Sequence, residues 1–308
     1  MQALPEKVTI VEVGPRDGLQ FEPSTLNIKD KLAFIEQLAD CGLTHIEAGS
    51  FVSPGKIPQL ADSDDVFRRL KPREGVIYSA LVPNEKGMER ALKVKVSAIA
   101  LFTAASETFC RKNIGCSIDE SFARFDPVIQ MAKHNNVKVR GYISCVLGCP
   151  YEGNISAQKV TAIAKRLYDA GCDEISLGDT IGSGTPLRAQ ALISQTTGAV
   201  PVNQLAVHFH DTRGQALANI LASLQMGISI VDASVAGLGG CPYAEGATGN
   251  VATEDVVYML DGLGITTGID IDCLIKTGND ISTKLQRRNN SRVGNAGVPH
   301  WQYRETTS

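Results

Sequence analysis

Short apolar runs alternate with longer amphipathic stretches along almost the whole chain. The apolar runs have the length of strands and lie at 7–13, 44–48, 76–82, 96–102, 137–145, 173–178, 204–210 and 229–235. Apolar positions recur at helical spacing within 28–41, 62–70, 84–93, 119–135, 156–170, 186–197 and 214–226. After the eighth run, the pattern predicts a helix over 252–262 and one or two more over 270–288.

This alternation predicts an α/β protein with a single (β/α)8 barrel, the TIM-barrel fold, because eight strand–helix units follow one another without a shift in composition. A doubly wound open sheet is the alternative, but no glycine-rich dinucleotide fingerprint follows the first strand. We therefore predict one barrel domain over residues 1–288, with extra helices at its C-terminal end. Residues 289–308 are polar and aperiodic, which predicts a loose tail.

The composition is that of a globular protein of the cytoplasm. The chain has 308 residues, of which 43% are hydrophobic and 20% charged, with a net charge of −3. This weak negative charge favours neither nucleic acid nor a membrane surface as a partner. The longest apolar runs fall short of the ~20 residues that cross a bilayer, and the first residues lack the apolar core of a signal peptide.

The eight cysteines do not form the framework of a disulfide-rich protein in a chain of this length. Cys41, Cys172 and Cys273 fall in helix-like patterns, and we interpret them as reduced thiols in the core. Cys241 differs from them because it lies between a glycine and a proline in a glycine-rich stretch.

Two histidines on the seventh predicted strand suggest a metal site. His208 and His210 are two residues apart, so both imidazoles point to the same side of the strand. Two structural histidines in a crowded barrel would show the same spacing. Asp17 follows the first strand and Asn250 the eighth, and strand ends of a barrel converge on one rim. Two imidazoles, a carboxylate and an amide oxygen favour Mg²⁺ or Mn²⁺ over zinc and leave positions for substrate oxygens.

Three more residues on this rim are candidates for chemistry. Arg16 lies in the tight turn 14–18, where a fixed guanidinium would stabilise a developing enolate; a solvated surface arginine is the alternative. Glu47 ends the second strand, where it either orients Arg16 or the metal ligands, or caps a helix or braces a loop. Cys241 lies in the glycine-dense loop 236–250, the kind of loop that forms a lid, where a thiol can transfer a proton. From the cysteine alone, an inert thiol is the simpler interpretation.

Several segments together resemble 3-hydroxy-3-methylglutaryl-CoA lyases of the bacterial type. These segments are 11–20 (VEVGPRDGLQ), 50–54 (SFVSP), 142–153 (YISCVLGCPYEG), 176–182 (SLGDTIG) and 234–250 (SVAGLGGCPYAEGATGN). The resemblance extends from about residue 6 to residue 288. The loop sequence 234–250 is the most specific part, since related Claisen-type synthases share the Arg-Asp-Gly turn and the His-x-His pair.

The resemblance implies a (β/α)8 enzyme that uses a divalent cation to cleave 3-hydroxy-3-methylglutaryl-CoA to acetyl-CoA and acetoacetate, a reaction of leucine catabolism and ketone-body metabolism. It implies metal ligation by Asp17, His208, His210 and Asn250. It implies catalytic roles for Arg16, Asp17, Glu47, His208 and Cys241. It implies coenzyme A contacts from Lys112, Asn113 and Ser117, although an ordinary polar loop is the alternative there. Members of the family are often dimers, so a homodimer is a further expectation.

In the implied mechanism, His208 or Asp17 removes the proton of a metal-polarised C3 hydroxyl. Cleavage of the C2–C3 bond then gives acetoacetate and a thioester enolate, which Arg16 stabilises. Cys241 or a neighbour returns a proton to the enolate carbon.

The sequence departs from the family pattern at Phe21, Pro23, Ala48, Gly49 and Arg213. We expect these changes to adapt the pocket to a longer substituent on C3 of the substrate or to coenzyme A. Two other functions are alternatives: a condensing acyl-CoA/2-oxoacid synthase of the same superfamily, and a non-catalytic barrel that binds a metal or coenzyme A.

Overall fold

A computed structural model of the chain describes residues 4–240 and 249–299. Within these residues, eight parallel strands close into a barrel in sequence order, and the last strand pairs with the first. The strands are β1 (Thr9–Glu12), β2 (His45–Ser50), β3 (Ile77–Leu81), β4 (Ala98–Ala104), β5 (Lys138–Ser144), β6 (Glu174–Asp179), β7 (Leu205–Phe209) and β8 (Ile230–Ala233). The closed barrel confirms the predicted (β/α)8 fold and excludes the open sheet.

Helices follow the strands and cover the outside of the barrel. They are α1 (Ile28–Asp40), α2 (Ser63–Arg69), α3 (Glu85–Lys93), α4 (Glu107–Ile114), α5 (Ile118–His134), α6 (Ala157–Ala170), α7 (Pro186–Thr196), α8 (Ala216–Leu224), α9 (Thr253–Gly262), α10 (Ile271–Lys284) and α11 (Arg292–Ala296). The main hydrophobic core contains buried residues from both the strands and these helices. Within the described parts of the chain, none of the helices is long and apolar enough to cross a membrane.

Helix α4 does not follow from the hydrophobic pattern. It has only eight residues, of which Phe109 and Cys110 are buried, so the apolar repeat is too short to detect. Its ends are fixed by polar and backbone chemistry instead. The Ser106 hydroxyl accepts a hydrogen bond from the Phe109 N–H at 3.1 Å, and Gly115 ends the helix in a left-handed conformation.

Helix α11 lies in the segment for which the sequence predicts a loose tail. The Asp255 carboxylate holds this turn, because it accepts hydrogen bonds from the Ser291 hydroxyl at 2.7 Å and from the Val293 N–H at 2.8 Å. A side-chain contact across 36 residues leaves no trace in local periodicity. The domain boundary at residue 288 stays a prediction, and residues 300–308 lie outside the described part of the chain.

One expectation for the cysteines is wrong. Cys41, at the end of α1, and Cys273, in α10, form a disulfide across 232 residues, with their Cα atoms 5.3 Å apart. The hydrophobic pattern places each cysteine on a helix but cannot show that the two helices bring them together. Cys172 is a buried free thiol, as expected.

The interior of the barrel contains polar residues as well as apolar ones. Glu47, Arg140, Tyr142 and Asp232 are inside, and their charged and hydroxyl groups contact one another or the residues of the site described next. These residues connect the barrel interior to the rim at the C-terminal ends of the strands.

Candidate active site

A cavity of about 640 Å³ opens at the C-terminal ends of the strands. One part of its wall is polar and includes Arg16, Asp17, His208 and His210. Another part is apolar and comprises Val52, Ile57, Leu81, Phe102, Phe109, Ile114 and Phe125. Active sites of (β/α)8 barrels occupy this end of the fold, so the cavity is the candidate site.

The turn Gly14–Gly18 carries Arg16 and Asp17 into the cavity. It is a tight helical turn of five buried residues directly after β1. The Gly14 N–H donates to the Glu12 carboxylate at 2.8 Å, and a Cβ atom at Gly14 would lie 2.6 Å from the same carboxylate. Glycine is therefore required at position 14 to bring the turn this close to β1.

Arg16 is a fixed, buried cation. Its Nε donates to Glu47 Oε2 at 2.7 Å, and its Nη1 donates to Asp17 Oδ1 at 2.6 Å. The guanidinium carbon also lies 5.5 Å from the centre of the Tyr142 ring. Burial by itself would lower the pKa of Arg16, but the charges of Glu47 and Asp17 outweigh it and raise that pKa. Glu47 thus orients Arg16, which is one of the arrangements expected from the sequence.

Asp17, His208 and His210 form a cluster whose ligand atoms all lie within 4.8 Å of one another. His208 Nε2 is 3.4 Å from His210 Nε2 and 3.9 Å from Asp17 Oδ2. Burial, and then the neighbouring His208, lower the pKa of His210 to about 4. Burial alone would raise the pKa of Asp17, but Arg16 and the two histidines outweigh it and lower that pKa. A carboxylate beside two imidazoles is a suitable donor set for a divalent cation.

Asn250 completes this group from the far side of the loop after β8. Its side-chain Nδ2 donates to Asp17 Oδ2 at 2.8 Å and to the Leu238 carbonyl at 3.2 Å. His210 and Asn250 also pair as an isolated β-bridge. The structure therefore brings together all four residues for which the sequence predicts metal ligation. The fit to a cation is supported by the chemistry of the donor set, since a carboxylate and two imidazoles bring their ligand atoms within 4.8 Å of one another.

The sequence pattern does not reveal three residues of the barrel interior that lie beneath the cluster. Asp232 on β8 faces His208, and Arg140 on β5 forms ion pairs with Asp232 at 2.5 Å and with Glu174 at 2.7 Å. Tyr142 donates to Glu47 Oε2 at 3.4 Å. The signal was a charged residue in the middle of a largely apolar run, Asp232 in 229–235 (SIVDASV) and Arg140 in 137–145 (VKVRGYISC). Strands of a barrel are buried on both faces, so such a residue must be buried with a partner.

The three residues predicted to contact coenzyme A are placed differently from one another. Lys112 and Asn113 lie in α4 rather than in a loop, and Asn113 lines the cavity. The Lys112 ammonium lies 4.0 Å from the centre of the Tyr151 ring. Ser117 begins α5, where its hydroxyl accepts a hydrogen bond from the Glu120 N–H at 3.1 Å. Lys56 and Arg124, which the sequence pattern does not single out, also line the cavity.

Cys241 lies outside the described residues, but both ends of its loop are described. Gly239 and Gly249 have positive φ angles of 118° and 84°. A Cβ atom at Gly249 would lie 2.4 Å from the Gly239 carbonyl oxygen, so the two ends of the loop meet. We call this pair of residues the neck of the loop.

Of the positions that depart from the family pattern, only Phe21 lines the cavity. Ala48 is buried, and a Cβ atom at Gly49 would lie 2.8 Å from Ser63 Oγ, so both belong to the packing around β2. Arg213 donates to the Ile181 carbonyl at 2.8 Å and thereby braces the loop after β6.

Known proteins resemble this chain in both sequence and structure. The HMGL-like family matches residues 7–281. The mitochondrial hydroxymethylglutaryl-CoA lyase of Gallus gallus is 55% identical over 96% of this chain and 99% of its own. A 3-hydroxy-3-isohexenylglutaryl-CoA/hydroxy-methylglutaryl-CoA lyase of Pseudomonas aeruginosa is 54% identical over 95% of this chain and 98% of its own. The crystal structure of a hydroxymethylglutaryl-CoA lyase from Pseudomonas aeruginosa superposes with a TM-score of 0.93 and 54% identity, covering 95% of this chain and 98% of that one.

Proposed function

The chain belongs to the HMGL-like family, and we propose on that premise that its cavity performs the retro-Claisen cleavage of 3-hydroxy-3-methylglutaryl-CoA. The products are acetyl-CoA and acetoacetate, which makes the protein a carbon–carbon lyase with an acyl-CoA substrate. The observation that carries this proposal is the fixed Arg16 guanidinium, placed directly beside the Asp17–histidine cluster in one cavity. A retro-Claisen reaction needs both features, since it removes a proton from a hydroxyl and leaves an enolate.

A divalent cation would be held by Asp17, His208, His210 and Asn250, and Mg²⁺ or Mn²⁺ suits these nitrogen and oxygen donors best. When bound, the cation supplies a Lewis acid that lowers the pKa of the substrate hydroxyl. We assign the acceptance of the C3 hydroxyl proton to Asp17 or His208, two basic groups in the cavity wall.

Cleavage of the C2–C3 bond moves its electron pair into the thioester, and the oxygen of the resulting enolate becomes negative. Arg16 is held by Glu47 and Asp17, so its guanidinium is oriented before the reaction and needs no rearrangement to stabilise that oxygen. We assign the return of a proton to C2 to Cys241, on the basis of the loop sequence. The coenzyme A contacts are assigned to Lys112, Asn113 and Ser117, with support from the position of Asn113 in the cavity wall.

The test is the release of acetoacetate from 3-hydroxy-3-methylglutaryl-CoA by the purified protein. Stoichiometric acetoacetate and acetyl-CoA are the expected products. A parallel incubation of acetyl-CoA with 2-oxoacids distinguishes the condensing synthase, because only a synthase would liberate free coenzyme A. Absence of acetoacetate together with liberation of coenzyme A would overturn the proposal.

A second candidate activity is cleavage of 3-hydroxyglutaryl-CoA with a longer C3 branch. It is favoured by the apolar wall of the cavity, to which Leu81, Phe102 and Phe109 contribute. The relative from Pseudomonas aeruginosa is named for both isohexenyl and methyl substrates. Comparison of kcat/KM for the two substrates decides this point, and activity on the methyl compound alone would eliminate the second candidate.

Two further properties remain proposals. A homodimer is expected from the family, and light scattering coupled to gel filtration would measure the mass of the particle. A cytoplasmic location is expected from the composition, and fractionation of the source cells would test it.

A further inference from the structure

Asp232 is a buried residue on β8 that does not line the cavity. Its carboxylate lies behind His208, on the side of the imidazole that faces away from the metal-ligand cluster. His208 Nδ1 is 3.2 Å from Asp232 Oδ2, whereas His208 Nε2 points toward Asp17 and His210. The two ring nitrogens of His208 therefore have different partners.

The two oxygens of Asp232 also have different partners. Oδ1 accepts from the Arg140 guanidinium at 2.5 Å. Oδ2 accepts from the Ser176 hydroxyl at 2.9 Å and faces His208 Nδ1. A guanidinium only donates hydrogen bonds, so the cation of Arg140 requires an acceptor at Oδ1 and favours the ionised carboxylate.

An ionised carboxylate can only accept hydrogen bonds, so the nitrogen that faces it must donate. We propose that Asp232 is a positioning residue, which holds His208 as the tautomer with its proton on Nδ1. In that tautomer the lone pair of the ring is on Nε2, directed at the space shared with Asp17 and His210. Carboxylates behind metal-binding histidines have this effect in other proteins. The tautomer is independent of the lyase activity, whereas its use in holding a cation rests on the proposed function.

The effect of Asp232→Asn can be predicted because Arg140 allows only one of the two orientations of the new side-chain amide. Arg140 still requires an acceptor, so the amide oxygen takes the place of Oδ1. The amide NH2 group then occupies the place of Oδ2 and donates toward His208 Nδ1. That nitrogen must now accept, and the proton moves to Nε2, where it blocks the position used by a cation. Ser176→Ala removes only a neutral donor from Oδ2 and serves as the matched control.

The experiment is ¹⁵N NMR of the metal-free full-length protein with ¹⁵N-labelled histidine. The chain has five histidines, so the spectrum contains few signals. A His208→Gln variant assigns the signals, and their shifts identify the protonated ring nitrogen. We expect the Nδ1–H tautomer in the native protein and in Ser176→Ala, and the Nε2–H tautomer in Asp232→Asn. Native protein with its proton on Nε2 would overturn the proposal, and this measurement requires no variant of Asp232.

Mn²⁺ titration by calorimetry provides a second measurement. We expect Asp232→Asn to weaken Mn²⁺ binding by about 10- to 100-fold, the usual effect of losing such a partner, and Ser176→Ala to change it by less than about threefold. A folded Asp232→Asn with native Mn²⁺ affinity would contradict the positioning role. Acetoacetate release from the native protein is measured on the same sample. Its absence would reject the proposed function and leave the tautomer result standing.

Discussion

Replacement of Arg16 by glutamine should abolish most of the activity, and the structure allows the size of the effect to be estimated. Arg16 directs a charged donor group into the cavity, and no rearrangement is needed to orient it. Loss of a single neutral oxyanion donor typically lowers kcat by about 10²–10³-fold, or roughly 3–4 kcal/mol. A charged donor contributes more. We therefore expect Arg16→Gln to lower kcat by about 10³-fold or more, with a smaller change in KM.

The same substitution should also weaken the fold. It removes the ion-pair partner of Glu47, whose side chain is 1% exposed, and leaves that carboxylate buried without this partner. Removal of one member of a buried ion pair typically destabilises a protein by about 3–5 kcal/mol. A loss of activity in Arg16→Gln is therefore open to two explanations, a lost enolate stabiliser or a damaged site.

The double variant Arg16→Gln/Glu47→Gln separates these explanations. It removes both charges, so its unfolding free energy should recover toward the native value, while its kcat should stay low. The assays are acetoacetate release under saturating substrate and urea unfolding followed by circular dichroism. Turnover in Arg16→Gln within tenfold of native would refute the enolate role, as would recovery of kcat in the double variant.

Three other predictions concern the metal, pH and the disulfide. Chelation should abolish acetoacetate release, and Mg²⁺ or Mn²⁺ should restore it; turnover that survives exhaustive chelation would argue against the ligand set around Asp17. In the metal-free protein, burial lowers the pKa of His210 to about 4, below its unfolded value of 6.5, so the unfolded chain binds the proton first and stability falls as pH drops through this range. Between pH 7 and pH 4.5, urea unfolding should show a loss of about 2–3 kcal/mol relative to His210→Asn, and parallel pH profiles would contradict the assignment. The double variant Cys41→Ser/Cys273→Ser should lower the free energy of unfolding by about 2–4 kcal/mol under oxidising conditions, and a difference that persists in reductant would show another cause.

Much of the fold was predictable because strands and helices of a barrel have different apolar periods. Each strand found by its apolar run lies within about two residues of its observed position, including β7 with the histidine pair. The convergence of strand ends then places Asp17, His208 and Asn250 at one rim, which requires only the order of the strands.

The remaining features depend on contacts between distant parts of the chain. The bond between Cys41 and Cys273 requires α1 and α10 to be neighbours, which no local pattern encodes. The sequence also does not show that the Asp232 side chain points into the barrel. Both faces of its strand are buried, so polar and apolar residues do not alternate along it. Polar residues that orient the functional groups were therefore harder to identify than the functional groups themselves.

The neck formed by Gly239 and Gly249 has a consequence for engineering. Because the two ends of the loop meet, a change in its length or composition need not alter the distance between β8 and α9. A side chain at Gly249 would force the backbone apart, because it would meet the Gly239 carbonyl. A side chain at Gly239 would instead displace the side-chain amide of Asn250. Grafting of a loop from a related barrel would therefore join the donor segment at these two glycines.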